Sequence, residues 1–278
     1  MKLLFDDLSA ECSKNTTLKY STSFSLGIKM LDKSIHRPIY GIYGFVRFAD
    51  EIVDSFHDFN KADLLRNFRE DTFKAIKDKI SLNPILNEFQ RVVNTYGVEH
   101  SWIDTFLKSM EMDLDEKHHD TMSYSDYILG SAEVVGLMCL HVFVNGDQSE
   151  FERLKPYGMS LGSAFQKINF LRDIKADYET LGRTYFPGVD LKKFSTENKR
   201  QIEEDIKKDF DHALIGIKQL PASSRKGVYL AYIYYLRLHR KIKHTSVEEI
   251  MDKRIRIANT SKIGLLFQSV IKNQLNLL

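Results

Sequence analysis

Residues 164–177 read AFQKINFLRDIKAD, and their spacing decides the fold. Gln166, Asn169, Asp173 and Asp177 fall three, four and four residues apart, the interval that stacks side chains on one face of an α-helix. Ala164, Phe165, Ile168, Phe170, Leu171 and Ile174 fill the other faces. A helix apolar on most sides is a buried one. Its single polar stripe therefore lines an internal polar cavity, or forms a hydrogen-bond network that only fixes helix packing.

The segment YGFVRFADEIVD (43–54) repeats the pattern. Tyr43, Arg47, Asp50 and Asp54 are spaced by four, three and four, among Phe45, Val46, Phe48, Ala49, Ile52 and Val53. Buried carboxylates need a metal, hydrogen bonds or cationic partners. Two acidic pairs on facing helices would bring four carboxylates to one cavity. Magnesium prefers oxygen ligands and is typically held by one or two carboxylates plus substrate phosphates. The pairs thus predict a cage that grips a diphosphate through bridging metal, with Arg47 a partner for the diphosphate or for the carboxylates. Spacing alone is not diagnostic, because Asp54/Asp58 and Asp205/Asp209 share it. The latter lies in EEDIKKDFD, which reads as a solvated face with i,i+4 ion pairs.

Outward from these stripes the periodicity stays helical. It predicts helices over 38–56, with Pro38 in the first turn, and over 63–78, 84–95, 100–114, 123–144, 150–180, 196–218, 223–244 and 246–276. Strand-like alternation is confined to short ambiguous runs. The expectation is an all-α, single-domain helical bundle spanning residues 1–278, with a central cavity.

Five prolines, 14 glycines, 43% hydrophobic and 28% charged residues describe an ordinary soluble globular chain without low-complexity linkers. A net charge of +2 gives no reason to expect a nucleic-acid partner. Cys12 and Cys139 are far apart and form no metal pattern, which suits a reducing compartment. MKLLFDDLSAECSK at the start lacks the apolar core of a signal peptide. VVGLMCLHVFV (134–144) is too short to span a bilayer and reads as a buried helix. The expected location is cytoplasmic, with peripheral membrane contact at most. No HExxH, GxGxxG, Walker A or GxSxG motif is present.

The chain resembles the squalene/phytoene synthase family, and within it bacterial phytoene synthases. The matching segments are YSTSFSLGIKML (20–31), YGFVRFADEIVD (43–54), YILGSAEVVGLM (127–138), FQKINFLRDIKADYETLGRTYFP (165–187) and DKRIRIANTSK (252–262). Glu51 sits where an aspartate is common, and Glu133 replaces a small residue. The resemblance implies an isoprenoid-synthase fold and magnesium-dependent, head-to-head joining of two prenyl diphosphates, with manganese able to substitute. The preferred reading is geranylgeranyl diphosphate going to phytoene, with no NADPH required. The alternatives are farnesyl diphosphate going to dehydrosqualene or squalene, and a non-catalytic helical assembly factor of the same family.

By resemblance, Asp50, Asp54, Asn169, Asp173 and Asp177 hold metal, and Arg47 and Tyr43 join the aspartates in catalysis. Ser21, Ser23 and Phe24 close over a diphosphate, although Ser21 as a plain N-cap is the alternative. Tyr127, Gln166, Asn169, Arg172, Arg183 and Tyr232 complete the expected substrate contacts. Gly130, Ser131, Ala132 and Gly136 either leave room for an isoprenoid chain or let another helix approach. Asp113, in MEMDLDEK, is either a further acid of the site or a solvated carboxylate.

Overall fold

The computed structural model describes residues 1–114, 121–181, 186–187, 189, 193–252 and 254–255, with backbone alone at Ser23, 121–123 and 176–181. Among these residues the chain is helical, without strands. The helices are α1 (Lys2–Tyr20), α2 (Thr22–Lys29), α3 (Lys33–Ser55), α4 (Lys61–Asp78), α5 (Pro84–Tyr96), α6 (His100–Met112), α7 (Thr121–Ile128), α8 (Val134–Phe143), α9 (Gln148–Leu181), α10 (Thr196–Gln219), α11 (Ala222–Lys243) and α12 (Val247–Asp252). A π-helical turn, Leu129–Glu133, joins α7 to α8.

Local chemistry sets the boundaries. Asn83 caps α5 by accepting from Ile85 N, Pro84 occupies its first turn, and Gly97 ends it in the left-handed region at φ 69°. Ser195 and Asn198 form a capping box at the start of α10. The predicted start of the third helix was five residues late. Asp32 accepts from Ser34 N at 2.9 Å and starts α3 at Lys33, so Pro38 lies inside the helix and is buried. The last predicted helix, 246–276, is described only as far as α12 and Ile255.

Two apolar clusters make up most of the core. Helices α3 to α6 and α8 close around Phe45, which stacks on Phe89 at 3.9 Å between ring centroids and contacts Phe68 and Phe106. The other cluster gathers α7 and α9 to α12 around Phe210, Ile168 and Leu171. Tyr124–Phe143 is apolar and long enough for a membrane span by composition, but half of it is buried inside the bundle. It serves as a core element, as the sequence predicted for 134–144.

Between the clusters lies a cavity of about 280 Å³ lined by α2, α3, the π-helical turn, α8, α9, α10 and α11. Glycines let its walls close up. A Cβ on Gly216 would stand 2.2 Å from Tyr157, and one on Gly227 2.4 Å from Leu31.

Candidate functional site

The two polar stripes sit on α3 and α9, as the spacing required. On α11, Tyr235 donates to Asn169 Oδ1 at 3.4 Å, stacks on Phe165 at 3.9 Å and lies within electrostatic reach of Tyr43 on α3. Tyr43 in turn contacts the Ser21 hydroxyl and packs on Phe24, 5.1 Å between centroids. Burial pushes both phenols above their ordinary pKa, so they stay protonated as hydrogen-bond donors. Phe24, Phe165, Asn169 and Tyr235 also border the cavity, which extends from them to Leu31, Phe143, Leu154 and Leu220. The site therefore has a polar end and an apolar body.

On α3, Arg47 ion-pairs with Glu51 and reaches Asp50 Oδ2 only at 3.9 Å. Its guanidinium lies over the Tyr20 ring at 4.5 Å, and its buried Nε has no hydrogen-bond partner among the described residues. Asp50 faces a crevice, with 32% of its side chain accessible. Its carboxyl is pushed up to about 7, first by burial and then by the charge of Asp54, with Asp113 and Glu51 adding and Arg47 opposing. Asp113 is fixed there by Tyr127, whose hydroxyl donates to its Oδ2 at 2.9 Å. Of the two sequence readings for Asp113, the structure supports an acid of the site.

On α9 the charges are matched. Asp173 accepts from Arg172 Nε at 3.0 Å and pairs with Arg254 Nε at 2.7 Å. Arg254 was not among the expected site residues. Its place in the matching segment DKRIRIANTSK was the available signal. Asp177 lies one turn beyond Asp173, with its side chain outside the described residues. Arg183 falls outside them altogether, as does the side chain of Ser23.

Three expected contacts are placed elsewhere. Tyr232 is buried against Phe210 in a T-shaped contact, 5.4 Å between centroids, and is not part of the cavity wall. The tyrosine that α11 turns to the site is Tyr235, three residues on and nearly one helical turn away. Tyr127 is buried against Phe170 and acts through Asp113. Gln166 is half-buried on the stripe but does not line the cavity. Ser21 is the N-cap that was the alternative reading: its Oγ caps α2 by accepting from Phe24 N at 3.1 Å, and it also touches Tyr43.

The small-residue stretch divides in the same way. Ser131, Ala132 and Gly136 line the cavity, whereas a Cβ on Gly130 would lie 2.5 Å from Ser109, so Gly130 serves close packing against α6. Glu133 is turned toward Lys167 and Asp209, away from the cavity lining.

Among the described residues no three carboxylates, histidines or cysteines converge as a closed metal cage. Magnesium does not need one, since substrate phosphates and waters complete its shell. The carboxyl of Asp50 is raised first by burial and then by the charge of Asp54, with Asp113 adding, and a divalent cation there would offset both. Asp50 and Asp54 thus fit as carboxylate ligands. Asp173 would have to share its oxygens with two arginines.

Comparison with known proteins bears on the fold and the family. A dehydrosqualene synthase crystal structure superposes with a TM-score of 0.82, covering 97% of this chain and 98% of that one at 21% identity, which shows the fold. The 4,4'-diapophytoene synthase of Staphylococcus haemolyticus is 28% identical over 192 residues, 67% of this chain and 65% of that protein. Phytoene synthase 1 of Solanum lycopersicum, a chloroplast protein, is 26% identical over 271 residues, 88% of this chain and 63% of that protein. The chain thus spans a little under two thirds of the length of these two relatives. The squalene/phytoene synthase family model matches residues 17–260. That span contains both stripes, the cavity and Arg254, and the chain belongs to the squalene/phytoene synthase family.

Proposed function

We propose that this protein joins two allylic prenyl diphosphates head to head, with geranylgeranyl diphosphate as substrate and phytoene as product. The observation that carries this reading is the pairing of two acidic stripes, linked through Tyr235, with an apolar cavity. One end suits a charged leaving group and the other a hydrocarbon tail.

Magnesium held by Asp50 and Asp54, with Asp173, Asp177 and Asn169 opposite, would neutralise the leaving diphosphate. Arg47 beside Asp50, and Arg172 and Arg254 beside Asp173, would supply guanidinium groups for diphosphate oxygens. Loss of the first diphosphate gives an allylic cation. The second substrate's double bond attacks it, and a proton leaves to form the cyclopropyl intermediate. A second ionisation, rearrangement and proton loss complete the hydrocarbon without a reductant. The faces of Phe24, Tyr43, Phe165 and Tyr235 stabilise positive charge without trapping it. The apolar walls exclude water, which would quench each cation to an alcohol.

Farnesyl diphosphate going to dehydrosqualene is the second reading. The 280 Å³ cavity and the similarity to a diapophytoene synthase favour it. Incubation with magnesium and each radiolabelled diphosphate, with and without NADPH, tests both. Phytoene formed without reductant is the expected result, and NADPH should leave the product unchanged. Squalene appearing only with NADPH overturns the phytoene reading. No turnover of either length by folded protein would leave a non-catalytic assembly role.

A further inference from the structure

A third apolar cluster closes the far end of the cavity. Leu140, Leu154 and Leu220 are buried in it with Phe143 packed against them, and all four also line the cavity. They come from α8, α9 and the turn after α10, so three parts of the chain meet across the cavity's end. Leu31, in the turn between α2 and α3, completes this floor. Asn169 and Tyr235 mark the opposite, polar end.

The floor is mounted on turns that are tied together. Asp32 N, beside Leu31, donates to Ser223 O in the first turn of α11 at 2.7 Å. Arg225 clamps the Leu220 carbonyl, with Nε at 2.9 Å and Nη2 at 2.7 Å. Gly227 lets the two turns close up, since a Cβ there would lie only 2.7 Å from Gly27 O. Helix ends and turns are ordinarily the parts of a fold that open most easily. These are held by a backbone bond and a two-point, charge-assisted clamp, so the floor retreats only if those bonds break.

The depth above the floor matches one tail length. On α9 the lining runs from Asn169 to Leu154, fifteen residues or about 22 Å at 1.5 Å per residue. With carbon–carbon bonds of about 1.5 Å, an extended prenyl chain advances roughly 5 Å per five-carbon unit, so four units fill about 20 Å and a fifth would pass the floor. We propose that Leu220 and Phe143 set the upper limit on tail length, admitting twenty carbons and rejecting twenty-five. Leu220 is the side chain on the clamped turn, and Phe143 is the largest of the floor and only half-buried, which leaves its ring to meet a tail. The class of ligand rests on the proposed reaction. Contacts at the polar end are common to every prenyl diphosphate, whereas only the floor meets the last unit of the tail. A single methylene in a hydrophobic pocket is worth about 10–200-fold, and a surplus unit carries five carbons.

Calorimetric titration with thiolodiphosphates of ten, fifteen, twenty and twenty-five carbons, in magnesium, tests this. Sulfur in place of the bridging oxygen slows ionisation, so binding is read without turnover. Wild-type affinity should rise up to twenty carbons and fall at least about tenfold at twenty-five. Leu220→Ala and Phe143→Ala should each remove most of that fall, and Leu220→Phe should move it to between fifteen and twenty carbons. If Leu220→Ala does not fold, Leu220→Val takes its place with the same sign. Equal wild-type affinity for twenty and twenty-five carbons overturns the proposal. So do variants that weaken every length alike, which would make the floor structural only. Length-graded binding without turnover of the natural diphosphates would keep the floor and remove the enzymatic reading, whereas turnover with no dependence on length would do the reverse.

Discussion

The acidic stripes of α3 and α9 share a spacing and differ in charge balance. On α3, Asp50 stands among Asp54, Asp113 and Glu51, with Arg47 committed mainly to Glu51, and its carboxyl rises to about 7. On α9, Asp173 is gripped by Arg172 and Arg254. Identical intervals thus produce one under-neutralised carboxylate and one latched to arginine. Under the proposed function the α3 stripe would accept a cation as it stands, whereas Asp173 would exchange arginine for metal, freeing two guanidinium groups for a diphosphate.

Neutralising either aspartate should break the comparison most visibly. Asp50→Asn and Asp173→Asn should each cut magnesium-dependent turnover by about 10²–10³-fold, the scale of losing one preorganised electrostatic contact in a transition state. Near-wild-type turnover of either variant at saturating magnesium would reject the cage. Their metal-free stabilities should move in opposite directions. The folded protein holds the Asp50 proton up to about pH 7, against 3.8 for an ordinary aspartate. Wild-type stability from this group is therefore full below the lower value and falls as pH rises to about 7. Asp50→Asn removes that loss and should be about 1–2 kcal/mol more stable than wild type at pH 8, after discounting for water in the crevice, and no more stable at pH 4. Asp173→Asn strips the arginines of their partner and should be about 1–3 kcal/mol less stable. Thermal denaturation in chelator at both pH values checks the signs.

How much of this was visible in the sequence depends on whether polarity followed the usual rule. The α3 and α9 stripes were legible because polar residues in register on apolar helices are unusual, and period alone located the helices from α3 to α11, with α7 and α8 read as one helix over 123–144. Helix α1 was not delimited, because its buried positions are Asp6, Ser9, Ser13 and Thr17 and its leucines face outward. Arg254 was missed because an arginine in a basic run reads as surface. Its role depends on α12 packing beside α9, which no local pattern encodes. Tyr235 was confused with Tyr232 because both lie in AYIYYLRLHR, and only helical phase separates the residue on Asn169 from the one on Phe210.

The small residues before α8 allow a finer comparison, between Gly130 and Ala132. Ala132 borders the cavity, so Ala132→Phe should reduce activity on geranylgeranyl diphosphate about tenfold more than on farnesyl diphosphate, with little change in melting temperature. Gly130 has no such space, since its added Cβ would meet Ser109. Gly130→Ala should instead overpack α6, lowering stability by about 1–3 kcal/mol and both activities together. If Ala132→Phe lowers both activities equally in a destabilised protein, Ala132 belongs with Gly130 as a packing residue.

The smallest effect concerns Glu133, at the end of the π-helical turn. Its carboxyl is raised from 4.5 to about 7, first by burial and then by Asp209, with Lys167 opposing. Lys167 cannot neutralise it fully, because that ammonium is already engaged by Asp209 at 2.8 Å and by Asp205. A carboxyl raised in the folded state costs nothing below its unfolded pKa, costs progressively more as pH rises toward about 7, and is constant above it. Glu133→Gln keeps the shape and removes the charge. The variant should match wild type near pH 4.5 and exceed it by about 1 kcal/mol at pH 8, a figure reduced for the water that reaches this side chain. Because Glu133 faces α10 and not the cavity, the ratio of activities on the two substrate lengths should stay the same. Melting curves at both pH values and that ratio decide the matter. A changed ratio would place the carboxylate in the cavity, and a stability difference independent of pH would remove the charge as its cause.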